Sequence, residues 1–262
     1  MKYTDAQLVE LLKDSRYQNI GALPSQGHAY PWKDLYIRPL TVNELPLISK
    51  SAALNDMTYM IRAMDAVCTQ KVDDFTIGDF YFVMMWLRIH SMPKTPLVID
   101  WHCTEQVLRH KETGELIFNT EPYQQPEDVT EYELVDCDTH NTETVHMSNV
   151  KILSLPEGDE FEGLPPGFDF PRARHIEGIS EALRNPETAM TAPGIQWYAG
   201  NTFADRLRAF QTAEDGLEAF DTAMALNERI VHGISEHTTI TCRHCRKQDP
   251  WIVNIAPHNF FR

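Results

Sequence analysis

The sequence contains no hydrophobic run long enough to cross a membrane. Its longest apolar stretch, Phe80–Leu87, falls far short of the ~20 residues that a transmembrane helix needs. The first residues, Met1–Glu10, lack the basic region followed by an apolar run that marks a secretory signal peptide. We therefore expect a soluble protein that is made in a reducing cytosol and has no membrane partner.

Basic charge is also scarce. The chain has 23 Lys and Arg against 38 Asp and Glu, which gives a formal net charge of −15. Nonspecific binding to nucleic acid or to anionic lipid needs clustered Lys and Arg, so this balance argues against both. The acidic surface suits a protein that contacts other proteins, and it is equally typical of an ordinary solvated surface.

Familiar catalytic motifs are absent as well. Eleven His are present, but the chain has no His-Glu-x-x-His, no Gly-x-Ser-x-Gly and no phosphate-binding glycine loop. His102, His110, His140 and His146 lie in one β-rich stretch and leave a small zinc hydrolase as a remote alternative. Because no spacing of carboxylate and His supports that alternative, the sequence predicts a non-enzymatic protein.

Only five Cys occur, and in a reducing compartment they predict metal ligands or buried thiols rather than disulfides. Cys242 and Cys245 form a Cys-x-x-Cys knuckle, which can hold one side of a tetrahedral zinc ion. Cys103 and Cys137, in turn-and-strand context, are the candidates for the other side, with His140 as an alternative ligand in place of Cys103. We predict a structural Zn²⁺ site; the competing interpretation is a degenerate ribbon whose thiols only pack.

The hydrophobic pattern predicts an α+β fold, with a helical core that carries an inserted small β module of the zinc-ribbon type. One predicted helix face repeats apolar residues at helical spacing and is formed by Met57, Met60, Ile61, Met64 and Cys68. A second helix, capped by Thr76, is apolar nearly all round and is expected to be buried on most sides.

Short β-type runs follow, bounded by turn residues. They occupy Leu97–Cys103, Glu115–Phe118, Tyr132–Val135 and Val150–Leu153, and Lys111–Gly114 supplies a hairpin turn. The predicted organisation is an N-terminal arm (1–36), the first part of the helical core (37–96), the inserted β module (97–172), the second part of the core (173–237) and a C-terminal Cys-x-x-Cys segment that packs on the β module (238–262).

Large aromatic residues are concentrated near the two ends of the chain, in segments with little material for a core of their own. Such residues commonly dominate the energy of protein interfaces. The predicted partner-binding residues are Tyr30, Trp32, Trp251, Phe260 and Phe261.

The stretch Thr76–Ser91 resembles the helix signature of T4-type phage baseplate hub proteins, in which Thr-x-x-Asp leads through an apolar helix to Leu-Arg and a small polar residue. Ile37–Val42 is similar to the opening of that family, and so is the order of helices, a Cys-bearing insertion and further helices. The resemblance covers about residues 37–103. One departure is that Cys103 is followed by Gln106, where family members with Cys in the insertion tend to pair them closely.

The resemblance implies a structural component of a contractile phage tail baseplate, in the hub region, that holds neighbouring tail proteins without enzymatic activity. Its partners would be other phage tail and baseplate proteins. Its location would be the virion tail, and the host cytoplasm during assembly. The alternative that stays open is a baseplate hub assembly chaperone that is absent from the finished particle.

Overall fold

The computed structural model describes residues 2–117, 129–235 and 237–252. The helices in these ranges are α1 (Asp5–Leu11), α2 (Leu45–Leu54), α3 (Met57–Asp65), α4 (Ile77–Ser91), α5 (Ile176–Arg184), α6 (Ala192–Ile195), α7 (Phe203–Gln211) and α8 (Gly216–Arg229). The strands are β1 (Gln18–Asn19), β2 (Tyr36–Ile37), β3 (Val98–Cys103), β4 (Gln106–His110), β5 (Leu116–Ile117), β6 (Tyr132–Asp136), β7 (Thr139–Thr144), β8 (Ile152–Leu153), β9 (Gly233–Ile234), β10 (His237–Thr241) and β11 (Gln248–Ile252). This mixture of helices and small sheets confirms the α+β class.

The described chain divides into two compact units. Residues 2–93 and 152–235 form the helical unit, which contains α1–α8 and two short strand pairs, β1–β2 and β8–β9. Residues 94–117, 129–151 and 237–252 form the β unit. None of the helices in the described ranges has the length and apolar character that crossing a bilayer would require.

The boundary between the units differs from the predicted end of the β module at residue 172. Residues 152–172 belong to the helical unit because β8 pairs with β9 and because Leu155 and Phe170, 5% and 3% exposed, pack in a core cluster with Trp197. The apolar residues of this Pro-rich segment therefore contribute to the helical core.

Much of the predicted N-terminal arm is also part of the helical unit. Strand β1 pairs with β2, and Leu23 and Leu35 are 4% and 0% exposed. Helix α1, by contrast, has no buried residue, although Thr4 caps it through a full capping box. Residues 2–22 contribute no buried side chain, and burial of the arm begins at Leu23.

The two core helices follow their sequence patterns. All five residues of the predicted α3 face are buried, although α3 itself ends at Asp65 and Cys68 instead forms a β-bridge with Ile37. Burial raises the pKa of the Cys68 thiol, as expected for a small hydrophobic residue. Helix α4 is buried along most of its length, which accounts for its lack of a polar face.

The N-terminus of α4 is fastened by a buried polar network. Thr76 caps the helix by accepting from the backbone N–H of Asp79 at 3.2 Å. The fully buried Asp79 carboxylate accepts from the Ser25 backbone N–H at 2.9 Å and from the Tyr30 hydroxyl at 2.7 Å, and that hydroxyl accepts from the Thr76 N–H at 2.7 Å. Burial, together with the nearby Asp79 charge, holds the pKa of Tyr30 well above its usual range. The network ties residues 25–30 to α4.

Strand β9 passes against the first turn of α4 with no room for side chains. A Cβ on Gly78 would lie 2.3 Å from the His232 carbonyl oxygen, and one on Gly233 would lie 2.6 Å from the Gly78 Cα. Gly233 also has a φ of 109°, which disfavours any other residue. The sequence suggests that Gly233 closes α8, but α8 ends at Arg229, and Gly233 serves this backbone crossing instead.

A buried Arg and a buried His organise the turn before α5 and the start of α7. The Arg206 side chain is 0% exposed and donates to the carbonyl oxygens of Phe170 at 3.0 Å and of Asp169 and Gly200 at 3.2 Å. His175, 1% exposed, accepts from the Arg172 N–H through Nδ1 at 3.0 Å. Its Nε2 therefore carries the proton and donates to the carbonyl oxygen of Asn201 at 3.1 Å.

The β unit consists of short antiparallel pieces. Strand β3 pairs with β7, β4 lies between β5 and β6, and β10 pairs with β11. The turn between β4 and β5 contains Gly114 at a φ of 69°, which agrees with the predicted hairpin. Strands β4 and β7 have no counterpart among the predicted runs.

We expect Asp79→Asn to lower the free energy of unfolding by about 2–3 kcal/mol, because an amide can accept from only one of the two buried donors and turns its NH₂ group toward the other. Chemical denaturation would measure the change. The matched control is Asp73→Asn, at an exposed position in the preceding turn, which should change stability by less than ~0.5 kcal/mol. Equal effects of the two substitutions would contradict the role assigned to the buried network.

A second expectation concerns His175, whose pKa is lowered to about 4 by burial and then by the Arg206 guanidinium. Because the unfolded chain binds the proton more readily, stability should be complete above pH ~6.5 and should fall, by up to roughly 3 kcal/mol, as the pH drops toward 4. In His175→Asn this part of the pH dependence should disappear, at the cost of lower stability at neutral pH. The exposed control His146→Asn should retain the wild-type profile in denaturation at stepped pH. An unchanged profile in His175→Asn would contradict the assignment.

Candidate metal centre

Four of the five Cys side chains meet at one point of the β unit. The sulfur atoms of Cys103, Cys137, Cys242 and Cys245 all lie within 4.8 Å of one another, and the residues are between 1% and 8% exposed. The Cys103–Cys245 and Cys137–Cys242 sulfur pairs are each 3.6 Å apart, whereas a disulfide bond measures about 2.05 Å. The four residues are therefore free thiols gathered in one buried cluster.

Strand pairing brings together Cys103, at the β3–β4 turn, and Cys137, at the β6–β7 turn. Cys103 is the last residue of β3, and Cys137 joins β6 to β7. The Cys137 N–H donates to the Glu105 carbonyl oxygen at 2.7 Å, and the β4–β6 pairing begins beside it with Gln106 opposite Asp136. Both turns therefore lie at the same end of the strands.

The other two sulfurs come from the tip of the β10–β11 hairpin. The Cys242 N–H donates to the Lys247 carbonyl oxygen at 2.9 Å, and the Arg246 N–H donates to the Cys242 carbonyl oxygen at 3.0 Å. Arg246 adopts a φ of 60°, the left-handed conformation that reverses the chain after Cys245. This tight turn points both thiols of the Cys-x-x-Cys knuckle toward the same side.

Two polar side chains join the knuckle to the rest of the β unit. Asn141, 0% exposed, lies within 3.4 Å of the Cys242 sulfur through Nδ2 and accepts from the Arg243 N–H at 3.0 Å through Oδ1. The Lys247 ammonium forms an ion pair with Glu105, and this contact raises the pKa of Lys247. Sequence patterns single out neither residue, since Asn141 lies in the wholly polar run of β7.

The thiols differ in how readily they ionise. Burial raises the pKa of Cys242, but N–H groups of Cys245, Asn141 and His244 outweigh it and lower this pKa to about 6. Burial raises the pKa of Cys103, and burial with the neighbouring thiols raises that of Cys245 to about 12. Without a cation, the cluster accommodates one thiolate far more easily than several.

The size of the cluster is compatible with a metal site such as Zn²⁺. Zinc–sulfur bonds of about 2.3 Å in a tetrahedron place the sulfurs about 3.8 Å apart, which agrees with the measured spacings. A metal held by all four sulfurs would have no open coordination position, which is the arrangement typical of structural rather than catalytic zinc.

No His joins this cluster in the part of the chain that the structure describes. The Cys group is the only set of three or more nearby metal-ligating side chains there. His140, the predicted alternative ligand, is exposed and contacts Asp100 through Nε2 at 2.7 Å. His102 contacts Asp138 at 2.9 Å in the same way. Cys103, and not His140, therefore occupies the fourth position.

The predicted partner-binding residues that the structure describes are not members of this cluster. Tyr30 and Trp32 stack with ring centroids 4.2 Å apart and line a cleft of about 440 Å³ in the helical unit, but the Tyr30 hydroxyl is used internally by Asp79. Trp251 lies in β11, opposite Thr238. Phe260 and Phe261 lie outside the described residues. Partner binding by these aromatics stays a prediction.

Comparison of the chain with protein-family models, with curated proteins and with solved structures finds no match. The likeness to baseplate hub proteins therefore rests on the residues of 37–103 alone.

Proposed function

We propose that Cys103, Cys137, Cys242 and Cys245 bind one structural Zn²⁺, which fastens the β10–β11 hairpin to the remainder of the β unit. The observation that carries this proposal is the convergence of four buried sulfurs at tetrahedral spacing. Thiolate ligands suit Zn²⁺ and iron, whereas Mg²⁺ and Ca²⁺ prefer oxygen. Among these ions Zn²⁺ is the usual occupant of closed four-Cys sites.

A metal would also stabilise the β unit, whose hydrophobic core is small. Its buried aliphatic residues in the described ranges are Ile99, Val107, Val145, Val150 and Ile240. Units this small commonly need a metal, a disulfide or an oligomeric partner to supplement their core. The four Cys lie on three turns between short antiparallel strands, and this arrangement favours a module of the zinc-ribbon type.

We further propose that the whole chain is a non-enzymatic structural component of a contractile phage tail baseplate, in the hub region, where it holds neighbouring tail proteins. The support is the resemblance of residues 37–103, which includes the α4 signature. The closed ligand set favours a structural metal over a hydrolytic one, because hydrolysis needs an open position for water. An assembly chaperone that leaves before completion is the alternative.

We expect the purified protein to contain one zinc per chain, and Cys242→Ser to lose most of it because a hydroxyl is a poor zinc ligand. Elemental analysis would give the stoichiometry, and cobalt substitution should show thiolate charge-transfer and tetrahedral absorption bands in the wild type only. The matched control is Cys68→Ala, a buried thiol of the helical unit, which should keep one zinc. A wild-type protein without metal, expressed in zinc-replete medium, would refute the site.

The functional proposal predicts that purified phage particles contain the chain at a fixed copy number, because a structural part stays in place. Mass spectrometry of whole particles and of isolated assembly intermediates would measure it. Presence in the intermediates but not in the particles would select the chaperone instead. Absence from both would overturn a role in baseplate assembly.

A further inference from the structure

We propose that Asn141 is a positioning residue of the metal centre, holding the Cys242–Cys245 knuckle in a metal-ready geometry through its carboxamide. This inference rests on the proposed metal site. It concerns a residue that supplies no ligand and that no sequence motif marks.

Both polar atoms of the Asn141 side chain form hydrogen bonds. Its Nδ2 donates to the Cys242 sulfur at 3.4 Å and to the Thr139 carbonyl oxygen at 3.0 Å, while its Oδ1 accepts from the Arg243 backbone N–H at 3.0 Å. The side chain is 0% exposed, so no water competes for these groups. One planar group therefore fixes both the sulfur and the backbone of the knuckle.

The position of Asn141 in β7 explains why it can do this. It lies opposite Trp101 in the β3–β7 ladder, two residues away from the end of the ladder at which Cys103 pairs with Thr139. Because β7 is paired along its length to β3, Asn141 presents a rigid donor and acceptor to the hairpin tip. The knuckle is thus attached to the strand that also anchors Cys103, independently of any metal.

Asn141 differs in kind from the backbone donors to the cluster. Its Nδ2 is a side-chain donor that contacts the Cys242 sulfur at 3.4 Å, so a substitution can remove it without altering the backbone. Four thiolates around a dication leave a net charge of −2, which such donors stabilise. Outer-shell hydrogen bonds of this type commonly change metal affinity by about 10–100-fold.

The decisive comparison is between Asn141→Ala and Asn141→Asp. Aspartate has nearly the same shape and keeps an oxygen for the Arg243 N–H, but it turns a negative oxygen toward the Cys242 sulfur in place of a donor. If Asn141 only fills space, the folded Asn141→Ala and Asn141→Asp proteins should both keep nearly the wild-type zinc affinity. If it positions and stabilises the thiolate, Asn141→Asp should be the worse of the two.

The experiment is zinc competition against a chromophoric chelator at fixed pH, with the full-length chain and Asn149→Asp as the control. Asn149 is exposed in the same β unit, so its substitution adds the same charge away from the cluster. We expect about 10–100-fold weaker zinc binding for Asn141→Ala, a larger loss for Asn141→Asp and little change for the control. The thiolate-to-cobalt charge-transfer band should also shift in both Asn141 variants.

The outcomes separate this inference from the metal proposal. A wild-type protein that binds no zinc defeats the metal site itself. A wild-type protein that binds zinc, with Asn141→Ala showing unchanged affinity and an unchanged cobalt spectrum, overturns the role of Asn141 alone. If Asn141→Asp does not fold with excess zinc, Asn141→Ala decides the question by the same two measurements.

Discussion

The β unit depends on the approach of four sulfur atoms to within 4.8 Å of one another. Such a cluster is costly if several thiols ionise without a cation, because like charges then repel at short range in a buried site. The chain nevertheless converges on this arrangement, through the hydrogen bond from the Cys137 N–H to the Glu105 carbonyl oxygen, through the knuckle, and through Asn141. Strand pairing brings the four sulfurs together, and a dication would offset the repulsion between their thiolates.

The helical unit contains a buried negative charge that neutral hydrogen-bond donors stabilise. Asp79 is a fully buried carboxylate, and it is satisfied by a backbone N–H and a hydroxyl from a loop about fifty residues earlier in the chain. A buried carboxylate lowers stability unless its hydrogen-bond donors are held in place. The loop and the start of α4 therefore stabilise one another, and the glycine contact between α4 and β9 adds a steric constraint on the same turn.

The structural role that we propose would depend on the rigidity that these contacts provide. Four Cys ligands would leave no coordination position for substrate, and the Asp79 carboxylate is fully buried. Tyr30 illustrates how the structural role competes with the proposed interface role, since its hydroxyl is already used within the helical unit while its ring lines a cleft beside Trp32. The proposed part, fitted between neighbouring proteins, would require a rigid scaffold of this kind.

The sequence by itself determined the features that depend on neighbours close in the chain: the Thr76 cap, the apolar face of α3, the burial of α4 and the knuckle of Cys242 and Cys245. It also predicted which four Cys lie together, because Cys68 belonged to a helical pattern. Only the tertiary structure showed that β7 is a strand, since its residues Thr139–Thr144 are all polar and give no hydrophobic period. Only the tertiary structure also showed the contacts of Asn141, the assignment of residues 152–172 to the helical unit, and the close contact of Gly233 with α4. In each case the residue's role comes from a partner distant in sequence, whose hydrogen bond or close backbone contact no local pattern encodes.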